Sequence, residues 1–234
     1  MALDLGQGFT ARYGKVIEQM PELKAAGEMP ISMDHALEQQ FAYPETWGQT
    51  YIFTGDASLT GTDGDVVVEL DSLLLRSLDD KSKLSSGACM LSRDQWEERK
   101  SDVKNLYLTL EQVEEASGKG YVRKNGVWQP EDRAVAEVWD VLGRRNLRYH
   151  AELASQKSNG AERVMELYFD ASKRSKPTMR AWCVGPLNLR SNAGGDYLNV
   201  GYGRLVGVAP EALVARHVTQ CDPAHLSSIL RAGL

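Results

Sequence analysis

Cysteine is scarce in this sequence, and the number of cysteines is odd. The 234 residues include three, at Cys89, Cys183 and Cys221. A secreted domain that depends on disulfides usually has more cysteines, and an even number of them. The cysteine content therefore favours a reducing compartment, and we expect a cytoplasmic protein.

Long apolar stretches are missing as well. No run approaches the roughly 20 apolar residues of a membrane-spanning helix. The N-terminal residues lack the short apolar core of a signal peptide. A composition of 42% hydrophobic and 25% charged residues is typical of a globular chain and excludes wholesale disorder. We therefore expect a soluble protein that does not bind membranes.

The common signatures of catalysis and cofactor binding are also missing. The sequence has no GxxxxGK[ST] loop, no GxGxxG that opens a helix after a strand, no HExxH and no GxSxG. Each motif places particular side chains or backbone amides at a reaction centre, so its absence removes the class of enzyme that depends on it. We predict no cofactor, and the sequence leaves open whether the chain is an enzyme.

Charge is present but unevenly placed. Residues 171–210 contain six bases and one acid, Asp196, and carry +5, although the whole chain carries −5. The bases are Lys173, Arg174, Lys176, Arg180, Arg190 and Arg204. Residues 56–71, by contrast, contain five acids and no base. Such asymmetry within a chain concerns its partners more than its fold.

The periodicity of apolar residues predicts helices and strands in alternation. Helical spacing occurs at 10–20, after Ser32, from Pro130 to Leu142, and at 147–155. Strand-like runs occur at 51–54, 66–70, 178–184 and 197–208, and on both sides of the Asn125-Gly126 turn. We predict an α+β fold with N-terminal and central helices packed on a mostly antiparallel sheet. We expect one domain, residues 1–234, with a subdomain seam near 157–160.

The basic segment contains the leading candidate site. Arginines interleaved with aromatic side chains on a sheet bind phosphates and stack on bases. Strand alternation predicts Arg180 and Trp182 on one face, and a Gly194-Gly195 loop lets backbone N–H groups approach an anion. The predicted ligand-binding residues are Arg180, Trp182, Arg190, Asn192, Gly194, Gly195, Tyr197, Tyr202 and Arg204.

These residues favour a non-catalytic binding or accessory protein. Its predicted ligand is anionic, either a phosphorylated small molecule or a single-stranded nucleic acid. The structural alternative is that the bases before Pro177 form a solvated turn, while Trp182 and the tyrosines belong to the core. Exposure of the aromatic residues and ion pairing of the arginines decide between the two interpretations.

An enzyme with a Cys/His or zinc site is the second hypothesis. Its candidate ligands are Cys183, His217, Cys221 and His225. Thiolate and imidazole suit Zn²⁺, and a thiolate–imidazole pair is also a nucleophile with its base. Against this hypothesis, Pro223 interrupts any helix through these residues, and Cys183 follows Trp182 in a strand-like run. A small buried thiol is the alternative interpretation.

The acidic stretch leads to two further hypotheses. Asp56, Ser58, Thr60 and Gly61 have the spacing of the first half of an EF-hand loop, but the twelfth position is Val67. A solvated hairpin loop is therefore the better interpretation. Opposite charge on two stretches of one chain also fits a contact between copies. The third functional hypothesis is therefore a self-assembling structural protein that forms a homo-oligomer.

Overall fold

The computed structural model of the chain describes residues 2–6, 8–143 and 146–210. Within these ranges the helices are α1 Val16–Ala25, α2 Met33–Ala42, α3 Pro44–Trp47, α4 Leu73–Arg76, α5 Arg93–Ser101, α6 Leu110–Ala116, α7 Arg133–Leu142 and α8 Leu147–Lys157. The strands are β1 Ala2–Gly6, β2 Phe9–Tyr13, β3 Met29–Pro30, β4 Ile52–Thr60, β5 Val66–Glu69, β6 Leu84–Ser85, β7 Ala88–Met90, β8 Leu106–Leu108, β9 Tyr121–Lys124, β10 Val127–Pro130, β11 Arg163–Val164, β12 Leu167–Tyr168, β13 Thr178–Val184, β14 Ala193–Asp196 and β15 Arg204–Val208.

Twelve of these strands form one mixed sheet. Its principal path runs β1-β2-β15-β4-β13-β14-β12, and β9, β10 and β11 form a separate small sheet. Neighbours on the path are antiparallel, except for the parallel pairs β4–β15 and β12–β14. Strand β4 is central, because β13 pairs along most of its length while β15 and β5 share its other edge. The predicted α+β fold with a mostly antiparallel sheet is confirmed.

Two clusters of buried side chains lie on the two faces of this sheet. Along β13, alternate residues enter different clusters: Trp182 and Val184 the first, Ala181 and Cys183 the second. Helices α2, α7 and α8 contribute to the first cluster, and α1, α4 and α5 to the second. Helices therefore cover both faces of the sheet.

Helix α7 shows how local sequence and packing combine. The Asp132 side chain caps it by accepting a hydrogen bond from the backbone N–H of Val135 at 2.9 Å. Its apolar face is buried in the first cluster, and the indole N–H of Trp139 donates to the carbonyl oxygen of Met165 at 2.9 Å. Pro130 does not open this helix as predicted, because it is the last residue of β10.

The helix predicted at 10–20 is wrong in its first half. Residues 9–13 form β2, which pairs with β1 on one side and with β15 on the other. Phe9 and Ala11 alternate into the core, as strand residues do, and α1 begins only at Val16. Pairing with a strand almost 200 residues away in sequence therefore decides the conformation of this segment.

The predicted seam near 157–160 is the turn after α8. Asn159 and Gly160 have φ values of 59° and 76°, which end the helix and turn the chain towards β11. Ala154 before this turn and Val164 after it belong to the same core cluster. Apolar packing thus continues across the turn, and the single-domain organisation stays a prediction.

Asp56 lies within β4, where all nine residues are buried, and not in a loop. Its carboxylate accepts hydrogen bonds from the backbone N–H groups of Met33 at 2.6 Å and Asp71 at 2.9 Å. The start of α2 and the turn after β5 are therefore held together through one buried side chain. The solvated hairpin loop predicted from Asp56 onward is therefore wrong for residues 56–60, which belong to β4; residues 61–65 connect β4 to β5.

No helix in residues 2–6, 8–143 or 146–210 combines the length and the apolar character that crossing a bilayer requires. The longest, α8, has eleven residues and several polar side chains.

We expect Asp56→Ala to lower the free energy of unfolding by about 3 kcal/mol, because two buried N–H groups lose a charged acceptor. Urea denaturation followed by fluorescence measures this change. Asp79→Ala is the matched control, since Asp79 is exposed and its ion pair with Lys83 contributes little. An unchanged midpoint for Asp56→Ala would contradict the role described here.

Candidate recognition surface

Four strands place functional side chains on one face of the main sheet. Tyr168 of β12 lies opposite Gly194 of β14, and Gly194 lies opposite Cys183 of β13. Cys183 in turn lies opposite Phe53 of β4. Directly paired residues project from the same face, and so does Asp196, two positions beyond Gly194. This register brings residues distant in sequence into one row.

The Gly194-Gly195 segment is a strand and not the loop predicted from sequence. A Cβ atom on Gly194 would lie 2.8 Å from the carbonyl oxygen of Tyr168, and one on Gly195 would lie 2.8 Å from the Cβ of Ser58. Such distances are too short for any side chain, so glycine is needed for close packing of strands. The predicted strand at 197–208 correspondingly begins only at Arg204. Because β14 pairs on both sides, the predicted anion-binding loop is wrong.

Three tyrosines lie on this face of the sheet: Tyr168 beside Gly194, and Tyr51 and Tyr202 near Asp196. The rings of Tyr51 and Tyr202 meet edge to face, with their centroids 5.2 Å apart, and the Tyr202 hydroxyl donates to Asp196. Tyr168 and Tyr202 are 46% and 53% exposed. We call these three tyrosines, together with Gly194 and Asp196, the tyrosine surface.

The tyrosine hydroxyls stay protonated at neutral pH. Burial raises the pKa of Tyr51, and the nearby Cys183, Asp196 and Tyr168 raise it further. Burial also raises the pKa of Tyr202, with the hydrogen bond to Asp196 as the next cause. The surface therefore presents neutral phenols. Asp196 lies near Tyr51 and Tyr202, whereas Glu166, Arg190 and Arg163 are the charged neighbours of Tyr168.

Asp196 is the only acid of the basic segment, and it faces this surface. It accepts hydrogen bonds from the backbone N–H of Tyr197 at 2.6 Å and from the Tyr202 hydroxyl, and the Cys183 Sγ lies 3.9 Å away. Among the described residues, no lysine, arginine or histidine forms an ion pair with it. Its partners are therefore neutral donors.

The predicted arginines are held inside the protein. Arg180 is 7% exposed, with its Nη2 2.5 Å from Oδ2 of Asp170 and its guanidinium 4.1 Å from the ring centroid of Tyr197. Arg204 is 2% exposed and donates to the carbonyl oxygen of Thr46 at 3.0 Å. Both side chains belong to the interior of the protein and do not form an exposed basic surface.

Arg190 differs, because its side chain is 44% exposed. Its Nη1 lies 3.1 Å from Oε2 of Glu166, which is itself nearly buried. The backbone N–H of Glu166 also donates to Oδ1 of Asn192 at 3.2 Å, so Asn192 helps to position Glu166 for its ion pair with Arg190. No described ion pair joins residues 56–71 to residues 171–210; of the six bases in the second stretch, Arg174 and Arg180 pair with Asp170, and Arg190 pairs with Glu166.

Trp182 belongs to the core. It is fully buried, and its ring packs edge to face on Phe169 with centroids 5.6 Å apart. The predicted exposed pair of Arg180 and Trp182 is therefore wrong, although Tyr197 and Tyr202 are exposed at 41% and 53%. Sequence reasoning missed Tyr51 and Tyr168, because only strand register places them beside Gly194.

A buried polar network supports the surface from the opposite side. His150 Nε2 lies 2.8 Å from Ser191 Oγ, which donates to Gln40 Oε1 at 3.1 Å, and Gln40 Nε2 donates to the Gly185 carbonyl oxygen at 3.1 Å. This network holds the 185–192 loop, in which Ser191 and its neighbour Arg190 have φ values of 53° and 68°. Left-handed conformations of such residues cost about 1–3 kcal/mol each and persist when surrounding contacts impose them.

Cys183 has the environment of a structural thiol. Burial raises its pKa strongly, and Asp196 raises it further, so the thiol stays protonated at neutral pH. The other members of the predicted metal set, His217, Cys221 and His225, lie outside the described residues. Within the described ranges, no group of three or more His, Cys, Asp or Glu side chains is arranged to hold a metal ion.

We expect the His150 network to make stability depend on pH. Burial lowers the pKa of His150 from 6.5 to about 4. The unfolded chain therefore binds a proton at His150 below pH 6.5, while the folded protein binds it only near pH 4. The contribution is fully present above pH 6.5 and falls by about 3 kcal/mol between pH 6.5 and 4.

Urea denaturation of the wild type and of His150→Gln across this range isolates the effect, because all other titrating groups are common to both proteins. The stability difference should shift in favour of the variant as the pH falls. A difference independent of pH would contradict the assignment.

We expect Cys183 to resist alkylation in the folded protein. Because a buried thiol with a raised pKa supplies little thiolate, iodoacetamide at pH 7.5 should modify it roughly 100-fold more slowly than in urea. Mass spectrometry of the peptide containing Cys183 measures both rates. Equal rates in the folded and unfolded protein would restore the thiolate hypothesis.

Comparisons with known proteins concern the fold. No protein-family model and no curated protein matches the chain. Among solved structures, the chain is similar to one described as "Accommodation of massive sequence variation in Nanoarchaeota by the C-type lectin fold". The TM-score is 0.61 at 15% identity, over 89% of this chain and 97% of that chain. The described architecture is therefore similar to the C-type lectin fold.

Proposed function

We propose that the chain is a non-catalytic binding protein that recognises a polypeptide partner through the tyrosine surface. The observation that carries this proposal is the grouping of Tyr51, Tyr168 and Tyr202 on one sheet face around a glycine. Tyrosine provides a large, rigid contact area at low conformational cost, and it is enriched where proteins bind other proteins.

Gly194 allows close packing at the centre of the surface. It is partly exposed, and the carbonyl oxygen and Cβ of Tyr168 fill the space that a side chain would take. A partner therefore makes its contacts with the rings, and the strand contact at Gly194 holds Tyr168 in place.

The frame behind the surface favours binding without rearrangement. Tyr202 is held by its hydrogen bond to Asp196 and by its contact with the Tyr51 ring. The strands below are buried, and the His150–Ser191–Gln40 network fixes the adjacent loop. Pre-organised contacts lose little conformational entropy on binding, which leaves more of the interaction energy as affinity.

The anionic-ligand hypothesis has weaker support than the tyrosine surface. A phosphate at Arg180 would have to displace Asp170, and at Arg190 it would have to displace Glu166. Breaking a buried ion pair in this way is costly. Arg190 is the half-exposed arginine on which that hypothesis now depends.

The similar solved structure adds one argument. Its description states that the C-type lectin fold accommodates massive sequence variation in Nanoarchaeota. We infer a related division here, in which buried strands keep the frame and outward tyrosines select the partner. A second copy of the chain is one such partner, and light scattering distinguishes it, since self-association raises the measured mass with concentration.

We expect Tyr168→Ala and Tyr202→Ala each to weaken partner binding at least about tenfold, as central interface residues do. Peptides selected from a random phage-displayed library against the wild type serve as the partners, and fluorescence anisotropy measures their affinity. Tyr149→Ala is the matched control: Tyr149 is 57% exposed on α8, which packs on the other face of the sheet.

The same titrations with single-stranded oligonucleotides and inorganic phosphate test the alternative. Binding that is lost in Arg190→Ala and unaffected by the tyrosine variants would support an anionic ligand and contradict the proposal. Selected peptides that are indifferent to both tyrosine variants would also contradict it.

A further inference from the structure

We infer that the tyrosine surface anchors its partner through a cationic side chain, a lysine or an arginine, seated against Asp196 between the tyrosine rings. This inference rests on the proposed function and specifies the chemistry of the group that is recognised. The basic segment predicts an anionic ligand, whereas this inference specifies a cationic one.

The first argument is that Asp196 has no cationic partner among the residues that the structure describes. The neighbouring acids have arginine partners there, Asp170 with Arg180 and Glu166 with Arg190. Asp196 has three neutral donors instead, and its side chain is only partly buried. A partly exposed carboxylate without a counter-ion in residues 2–6, 8–143 and 146–210 is open to a cation from a partner.

The aromatic rings supply the second argument. A cation within about 6 Å of a tyrosine ring face is attracted by the negative charge density of that face. Tyr51 and Tyr202 lie near Asp196, and the hydrogen bond from the Tyr202 hydroxyl to this carboxylate makes that ring richer in electrons. The rings and the carboxylate therefore both favour a positively charged ligand.

The pattern of exposed charge supplies the third argument. The bases of the basic segment closest in sequence to Asp196 have other partners, because Arg190 pairs with Glu166 and Arg204 donates to Thr46. Asp196 also contributes to the raised pKa values of Tyr51 and Cys183, after the larger contribution of burial. An anionic group at this position would be repelled.

A peptide side chain fits these features better than a phosphate or a free metal ion. The alkyl stem of lysine or arginine packs on ring faces while its charged head reaches the carboxylate. Neutral tyrosine hydroxyls and one carboxylate also provide too few charged ligands for Ca²⁺ or Mg²⁺.

Library-selected peptides test this inference. We expect them to be enriched in lysine or arginine and to lose at least tenfold in affinity when that residue is replaced by glutamine. Asp196→Asn should weaken the same peptides by a similar factor. The control Glu97→Gln removes an exposed charge on α5, outside the tyrosine surface, and should leave affinity unchanged.

A second measurement on the wild-type protein avoids any effect of Asp196→Asn on folding. Tetramethylammonium chloride should produce saturable shifts in the NMR signals of the Tyr168 and Tyr202 rings, and tert-butanol, its neutral counterpart in shape, should not. Rising salt should weaken the cationic peptides, because exposed charge pairs are screened.

The outcomes separate this inference from the proposed function. Peptides that depend on Tyr202 but contain no essential cation, and that ignore Asp196→Asn, would overturn the inference and leave the proposed function standing. Peptides that ignore the tyrosines would overturn both. Equal ring shifts with tetramethylammonium and tert-butanol would overturn the inference alone.

Discussion

Strand β13 is buried along its whole length, and this constraint determines which side chains around it are exposed. A polar side chain on such a strand needs a partner inside the protein, because an unpaired buried charge is expensive. Arg180 accordingly pairs with Asp170, and Cys183 lies beside Asp196. The same strand fixes the register that brings β14 and β12 alongside, so the tyrosine surface depends on it.

The parts of the fold that depend on neighbouring residues follow from the sequence. Ser32 caps α2, the Asn125-Gly126 turn joins β9 to β10, and β13 occupies the predicted 178–184. The parts that depend on distant pairing do not. Residues 9–13 have helical spacing but become a strand because β15 offers an edge, and glycines at 194–195 resemble a loop although strand packing requires them.

The candidate site shows the same difference between features that depend on neighbouring residues and features that depend on distant pairing. Exposure of Tyr202 and Tyr197 agrees with their prediction as ligand-binding residues, whereas burial of Trp182 follows from packing on Phe169 across strands. The sequence does not predict that Tyr168 belongs to the site, because nothing local places β12 beside β14. The net charge of residues 171–210 is misleading for a related reason. It counts bases whose charge is already neutralised by Glu166 and Asp170, and these two acids lie outside that range.

Gly194 has a consequence for how this protein changes during evolution or design. Its neighbour across the strand leaves no room for a side chain, so this position tolerates no variation. The tyrosines around it project outward and support no buried partner on their exposed faces. Under the proposed function, replacement of Tyr168 or Tyr202 would change which partner is bound, whereas the strand contact at Gly194 would stay the same in each such variant.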